Sequence, residues 1–417
     1  MAKIPAENPI AAALGLYQQG FEFVQNTRRK HQSDIFQIDL LFLKVICFGG
    51  EHAAQTFYDP DKFVRKGAVP PPVQKTLTGE KAIHTTDGDV HRNRKDMFLS
   101  LMTEESIKRL TVLVRQELYK VLPQWEKMNE VILFHEARVI LCKAICAWAE
   151  VPLTDKEAPY IARDFTVMVD AFGAIGPRNW RGQKARRRTE KWMEDIIKKV
   201  RNNKLKATTG SALYITAHHR DIKGQLFDTN MAAVELLNIL RPTVAIAWYI
   251  TFGATALHTF SQCRQKFLLN EGKYRDWFVD ELRRYYPFAP VMGALVKHNF
   301  VWKGYRFKKG NLVLLDMYGT NHDERLWEHP DQFIPERFEN RSIKPFDFLA
   351  QGGGDPRTGH RCPGEWITIE VLKAFLGFLT EYVQYNLPPQ DLTYDLSRMP
   401  TLPTSGFVMT HVKRKTA

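Results

Sequence analysis

Residues 346–379 read FDFLAQGGGDPRTGHRCPGEWITIEVLKAFLGFL. A glycine-rich, basic loop ends on Cys362, and an apolar helical pattern follows over 364–384. Pro363 is expected in the first helical turn, where a missing N–H costs nothing. The first amides of that helix, with the cations His360 and Arg361, favour a thiolate at Cys362. A thiolate on a short loop, with glycines that let a flat ligand approach, suits axial ligation of haem iron. Taken alone, the segment leaves a second reading open: a reactive or simply structural loop cysteine.

Two segments upstream narrow the choice. DELRRYYPFAP (280–290) holds Glu281 and Arg284, three apart and so on one helix face. Alone, such a pair is an ordinary solvated ion pair. FIPERF (333–338) then supplies Arg337 as a third partner for a buried network. In this order and at these spacings, the three segments resemble the cytochrome P-450 superfamily over essentially the whole chain. The resemblance implies a mainly α fold with small β-sheets, forming one triangular haem-thiolate domain over residues 1–417. It implies Cys362 as proximal ligand of haem b, and Glu281, Arg284 and Arg337 as a structural triad.

The departures from the common pattern are informative. Asp355 and Thr358 stand where the common loop has Phe and Gly; His360 and Gly364 agree, and GGGDPRTG lengthens the loop. ELLNILRPTVAIAWYI (235–250) places Arg241-Pro242 where a typical monooxygenase has an acid followed by threonine. With AFGAIGPR (171–178), these features resemble the bacterial fatty-acid peroxygenases.

Arginine cannot be the acid of a proton relay, because it stays protonated. It can hold a carboxylate in bidentate geometry, and leaving it buried and unpaired would be costly. The resemblance therefore implies that Arg241 clamps the carboxylate of a long-chain fatty acid. That carboxylate would act as general base and then acid toward hydrogen peroxide, with no obligatory reductase partner. Pro242 removes a backbone donor and is expected to kink its helix and open the distal side. A carboxylate pinned there exposes Cα and Cβ to oxidation. The products are then 2-hydroxy or 3-hydroxy acids, or a terminal alkene after loss of CO2. In the resembled family the position of His84 faces the distal side of the haem, and His there leans toward the alkene. Thr78, standing where the alkene-forming type has Phe, pulls the other way. The resemblance further places Arg65, His91, Lys95 and His360 at the haem propionates, and Val169 and Phe172 along the acyl channel. Val291 replaces an aromatic often found in that channel.

Bulk properties set the limits. The chain has 417 residues, 44% hydrophobic and 25% charged, an ordinary globular balance. No apolar run long enough to span a bilayer is seen, so no membrane anchor is expected, and the N-terminus lacks a signal peptide's pattern. Five sparse cysteines argue for a reducing, cytoplasmic setting; Cys142 and Cys146 share a helix face as core residues. The net charge is +13, with basic runs at 183–192 and 198–206. These read as a solvated helix face rather than a nucleic-acid site, and a positive field also attracts anionic substrates. Periodicity predicts helices at 8–28, 103–125, 139–150, 184–205, 229–258, 272–285 and 364–384, with β-structure at 295–317 and at the C-terminal end. Two rival readings are a conventional reductase-dependent fatty-acid monooxygenase and a non-catalytic haem- or fatty-acid-binding protein.

Overall fold

The segment around Arg241 forms the centre of the molecule. In a computed structural model, which describes residues 2–40, 43–270 and 273–415, it is a single helix, Thr229–Thr259. Asp228 caps it by accepting from the Met231 amide at 2.7 Å. The hydroxyls of Thr243, Thr251 and Thr255 bond back to the carbonyls four residues earlier, so the apolar core receives no unpaired hydroxyl from them. This core helix packs against helices Leu133–Ala149, Pro177–Arg201 and Glu365–Tyr382. Contact with the last is intimate: a Cβ on Gly253 would lie 2.6 Å from Leu376. The core helix is long and apolar enough to cross a membrane, but 94% of its most apolar window is buried within the protein.

The core helix does not break at Pro242; helical geometry runs through it. From Met231 to Leu257 every residue is buried except Pro242, which is exposed. A side chain exposed at the middle of the most buried helix must face an internal cavity.

Among the described residues, three sheets flank the helices. The largest has five strands. Ile35–Leu40 pairs antiparallel with Leu43–Gly49, which runs parallel to Leu312–Asp316 with Val45 opposite Leu312. Val291–Val296 and then Phe63–Val64 complete it. Glu130–Ile132, Val408–Arg414 and Val383–Asn386 form the second sheet. The third is a hairpin, Phe300–Trp302 with Tyr305–Phe307. Its two-residue turn puts Lys303 and Gly304 at positive φ, as a tight hairpin requires.

Several sequence expectations need adjusting. The helix expected at 8–28 is interrupted: Pro9–Gln19 ends at Gly20, whose φ of +50° turns the chain before Phe23–Lys30. The helix expected at 139–150 begins at Leu133, and that at 184–205 spans Pro177–Arg201. The helix expected from 272 is described from Tyr274; residue 272 lies outside the described residues. Helix Ala158–Asp170 was not anticipated.

Candidate active site

The Cys362 loop turns back on itself before the helix Glu365–Tyr382. Asp355 explains its own departure from the common pattern: its carboxylate accepts from the amides of Arg357 (2.6 Å) and Thr358 (3.0 Å), closing the extra turn. Gly352 and Gly354 sit at positive φ, and a Cβ on Gly353 would lie 3.0 Å from the Pro345 carbonyl. The Cys362 amide donates to the Gln351 carbonyl at 3.0 Å, which fixes the ligand's backbone. Gly364 is the helix N-cap, so Pro363 precedes the first turn rather than lying in it. Burial pushes the Cys362 thiol up; the Gly364 amide and Lys95 offset only part of this. The expected thiolate is therefore not set by the protein alone. A thiol in this setting gives up its proton on coordination to a metal.

Four basic side chains surround this region. Lys95 is 1% exposed, donates to the Arg361 carbonyl, and burial lowers its pKa to about 8. Arg65 lies over Phe57 at 4.0 Å; burial lowers its pKa to about 10, and its Nε has no hydrogen-bond partner. The rings of His91 and His360 are 4.0 Å apart, and burial lowers His91 to about 3. Among the described residues one carboxylate, Asp87, reaches any of the four, lying 3.6 Å from His360. Burial pushes Asp87 up, but His360 and the amides of Arg65 and Lys66 outweigh it and hold its pKa at about 2. So many buried bases around one carboxylate, with a guanidinium nitrogen orphaned, fit a ligand that brings its own carboxylates. Haem, with two propionates and an iron open to a thiolate, is such a ligand.

Arg241, on the core helix, is 4% exposed. Its single hydrogen bond goes to Asn238 Oδ1 at 3.3 Å, and its Nε has none. Burial, then the nearby Arg186 charge, pulls its pKa well below the usual arginine range. Among the described residues no carboxylate pairs with it. Asn238 is itself fixed. Its Nδ2 donates to the Thr78 carbonyl (3.0 Å) and to Glu235 (3.2 Å), which turns its oxygen toward Arg241. Glu235 is fully buried, paired with Arg94 at 2.9 Å, and accepts the Ile83 amide at 2.9 Å. One buried carboxylate thus holds both the core helix and the segment that carries His84. Glu235, Asn238 and Arg94 were missed in the sequence. The signal was present, since Glu235, Asn238 and Arg241 recur every three residues along an otherwise apolar helix.

His84 is surrounded by protein yet accessible to solvent-sized space, and it lies close enough to Arg241 to feel its charge. Burial, then the Arg241 charge, lowers its pKa to about 3, leaving a neutral imidazole without a protein partner. Val169 is buried at the end of Ala158–Asp170, and Phe172 is half-buried just beyond it. Val291 opens its strand half-buried, opposite Asp316.

The expected triad is assembled. Glu281 takes Arg284 in a bidentate pair at 2.7 and 2.8 Å and Arg337 at 3.2 Å, and accepts the Ile334 amide at 2.8 Å. Arg284 also donates to the carbonyls of Asn321, Pro330 and Gln332. The triad ties the helix Tyr274–Tyr285 to the strapping segment that precedes the Cys loop.

A cysteine at a helix mouth, a ring of bases beside it and a long central helix carrying a buried cation together fit a haem-thiolate protein. The family described as Cytochrome P450 matches residues 257–414. Among solved structures, cytochrome P450EX alpha (CYP152N1) with myristic acid is 42% identical, with TM-score 0.96 and full coverage of both chains. Cytochrome P450 OleT in complex with arachidonic acid is 35% identical, with TM-score 0.96 and again full coverage. Among curated proteins, cytochrome P450 3A15 of Cavia porcellus is 33% identical over 112 residues, covering 26% of this chain and 22% of that protein. Protopanaxadiol 6-hydroxylase of Panax ginseng is 22% identical over 383 residues, covering 84% and 79%. This chain belongs to the cytochrome P450 family.

Proposed function

We propose that this protein is a hydrogen-peroxide-dependent fatty-acid peroxygenase, cytoplasmic and bacterial, working as one haem-thiolate domain without a reductase. The observation that carries the reading is Arg241: a buried cation beside the cavity, hydrogen-bonded to one neutral amide. Such a site favours a ligand that brings a negative charge into an apolar enclosure. A fatty acid does so, and its tail adds about 0.8 kcal/mol per buried CH2 along Val169 and Phe172. The structures solved with myristic and arachidonic acid support the same ligand class.

In this reading Cys362 ligates haem b, and Arg65, His91, Lys95 and His360 hold its propionates. The bound haem supplies the redox chemistry, with peroxide as the oxidant. Arg241 holds the substrate carboxylate in a two-point grip. That carboxylate takes a proton from one peroxide oxygen and returns it to the other, filling the place of the missing acid. Neutral His84 donates a hydrogen bond into the same space. Pro242 keeps that wall of the cavity open, because its position offers neither a long side chain nor an N–H donor. The pinned carboxylate limits attack to Cα and Cβ. Hydroxylation consumes one fatty acid and one peroxide and yields a hydroxy acid and water. Decarboxylation yields a terminal alkene, CO2 and two waters.

Arg241→Ala is expected to abolish turnover of long fatty acids with peroxide while haem content stays normal. Unchanged turnover refutes the clamp. Turnover only with NADPH and a redox partner favours the conventional monooxygenase. Fatty-acid binding without product under either condition favours a binding protein. His84→Gln is expected to move products from alkene toward hydroxy acid; an unchanged ratio in the product chromatogram removes His84 from product control.

A further inference from the structure

The basic run 183–192 is not all solvated face. Arg187 and Arg188 are exposed, but Arg186 is 2% exposed and turns inward from the helix Pro177–Arg201. The proposed chemistry makes no use of it. Its three nitrogens meet different neighbours. Nε donates to Glu190, one turn further on, at 2.6 Å. Nη1 donates to the Leu77 carbonyl at 2.7 Å. Nη2 is buried and has no hydrogen-bond partner among the described residues.

A glycine makes room for that third nitrogen. Gly79 has a φ of +85°, and a Cβ there would lie 2.4 Å from Arg186 Nη2 and 2.7 Å from Val234 on the core helix. The guanidinium therefore lies against bare backbone, in a conformation that itself favours glycine. One turn before Arg186, Gly182 gives the same room to Thr76: a Cβ on it would lie 3.1 Å from the Thr76 methyl. The turn Gln74–Thr78 is thus pressed against this helix, with Arg186 as its polar hold.

That hold reaches Arg241 through a short chain of bonds. Leu77 and Thr78 present adjacent carbonyls, one to Arg186 and the other to Asn238 Nδ2 at 3.0 Å. Asn238 then offers its oxygen to Arg241 at 3.3 Å. Charge acts between the two arginines as well. Burial, and then the Arg186 charge, depress the Arg241 guanidinium. Two like charges that feel each other both attract an anion placed between or beside them. Arg94 is matched by fully buried Glu235. Arg186 is matched by Glu190, whose side chain is 21% exposed and so open to screening by water.

We propose that Arg186 is a positioning residue for the substrate carboxylate. It fixes Thr78, and through it Asn238 and Arg241, and it adds its own charge to the field that draws the acid in. The proposal rests on the fatty-acid reading. It differs from a plain structural tie in one respect: the effect of Arg186 depends on the charge of the ligand.

The test is calorimetric titration of the haem-loaded, full-length protein with hexadecanoic acid and with hexadecanol, the same chain without the charge. The wild type is expected to bind the acid more tightly than the alcohol. Arg186→Met removes the charge and the bond to Leu77. Its affinity for the acid should fall on the order of tenfold, with the alcohol changed less than about twofold. Arg186→Lys keeps the charge and a donor, and should recover most of the loss. Glu190→Gln removes the counter-charge and should tighten the acid on the order of threefold, leaving the alcohol unchanged. Wild-type acid affinity in Arg186→Met overturns the proposal. So do equal losses for acid and alcohol, or equal losses in Arg186→Met and Arg186→Lys, which assign Arg186 to structure alone. If Arg186→Met takes up no haem, Glu190→Gln decides: unchanged or weaker acid binding overturns the proposal. A wild type that binds acid no better than alcohol defeats the fatty-acid reading and this proposal together. Tight acid binding by the wild type, with variants that match it, defeats this proposal alone.

Discussion

Asn238 decides what Arg241 can bind. Its amide is locked by Thr78 and Glu235, so it offers Arg241 an acceptor without a charge. The guanidinium is oriented but not neutralised. Asn238→Asp would place a carboxylate against it and weaken the amide's tie to Thr78, since aspartate cannot donate. Fatty-acid affinity in that variant is expected to fall on the order of a hundredfold, in line with loss of a buried charge-assisted pair. Asn238→Leu, which adds no charge, is expected to lose much less. Spectral titration with a long-chain acid measures both. Equal affinities for the wild type and Asn238→Asp would mean that Arg241 is not the carboxylate's partner, or that the amide's neutrality does not matter.

At the scale of elements, the Glu281 cluster binds a helix to the strap before the Cys loop. Glu281 and Arg284 are both fully buried, with Arg337 close behind. Glu281→Gln keeps the shape but leaves two guanidinium groups facing a neutral amide. The expected cost is about 3–5 kcal/mol, read as a lower denaturant midpoint and poor haem retention. Wild-type stability in this variant would show that the carbonyls around Arg284 suffice. This cluster was legible in the sequence because its partners are fixed by short spacings: Glu281 and Arg284 within one helix turn, Arg337 in a proline-bounded motif. The Cys loop was legible for the same reason. The strands Ile35–Leu40 and Leu43–Gly49 were not read, because IFQIDLLFLKVICF has no glycine, proline or asparagine to mark a turn between them. Helix Ala158–Asp170 escaped because its one proline, at 159, reads as a break, though in the first turn it is harmless. The Glu235–Arg94 pair is out of reach of any periodicity, since its partners are 141 residues apart.

For the whole molecule, a buried histidine is expected to contribute to the response to acid. His322 is 3% exposed; burial, then the Arg284 charge, lowers its pKa to about 3. Its folded value lies below its unfolded value of about 6.5, so the unfolded chain binds the extra proton. The contribution of this one group to stability is full above about pH 6.5 and is lost as pH falls toward 3. Replacing His322 with Phe keeps a ring stacked on Tyr318, which lies 4.2 Å away, and should flatten the thermal midpoint between pH 6.5 and 4. An unchanged slope would assign the acid response to the carboxylates instead.

Pro242 is the one place along the middle of the core helix where a larger side chain would meet space rather than protein. Every other residue from Met231 to Leu257 is held by its neighbours. The central helix therefore has almost no freedom to drift in sequence, and a lineage built on this fold must diversify elsewhere. On the proposed reading, variation in what is made, and from which acid, falls to the segments that carry His84, Val169 and Phe172. A mutational survey of the chain would find a long intolerant stretch from Met231 to Leu257 with a single gap at Pro242.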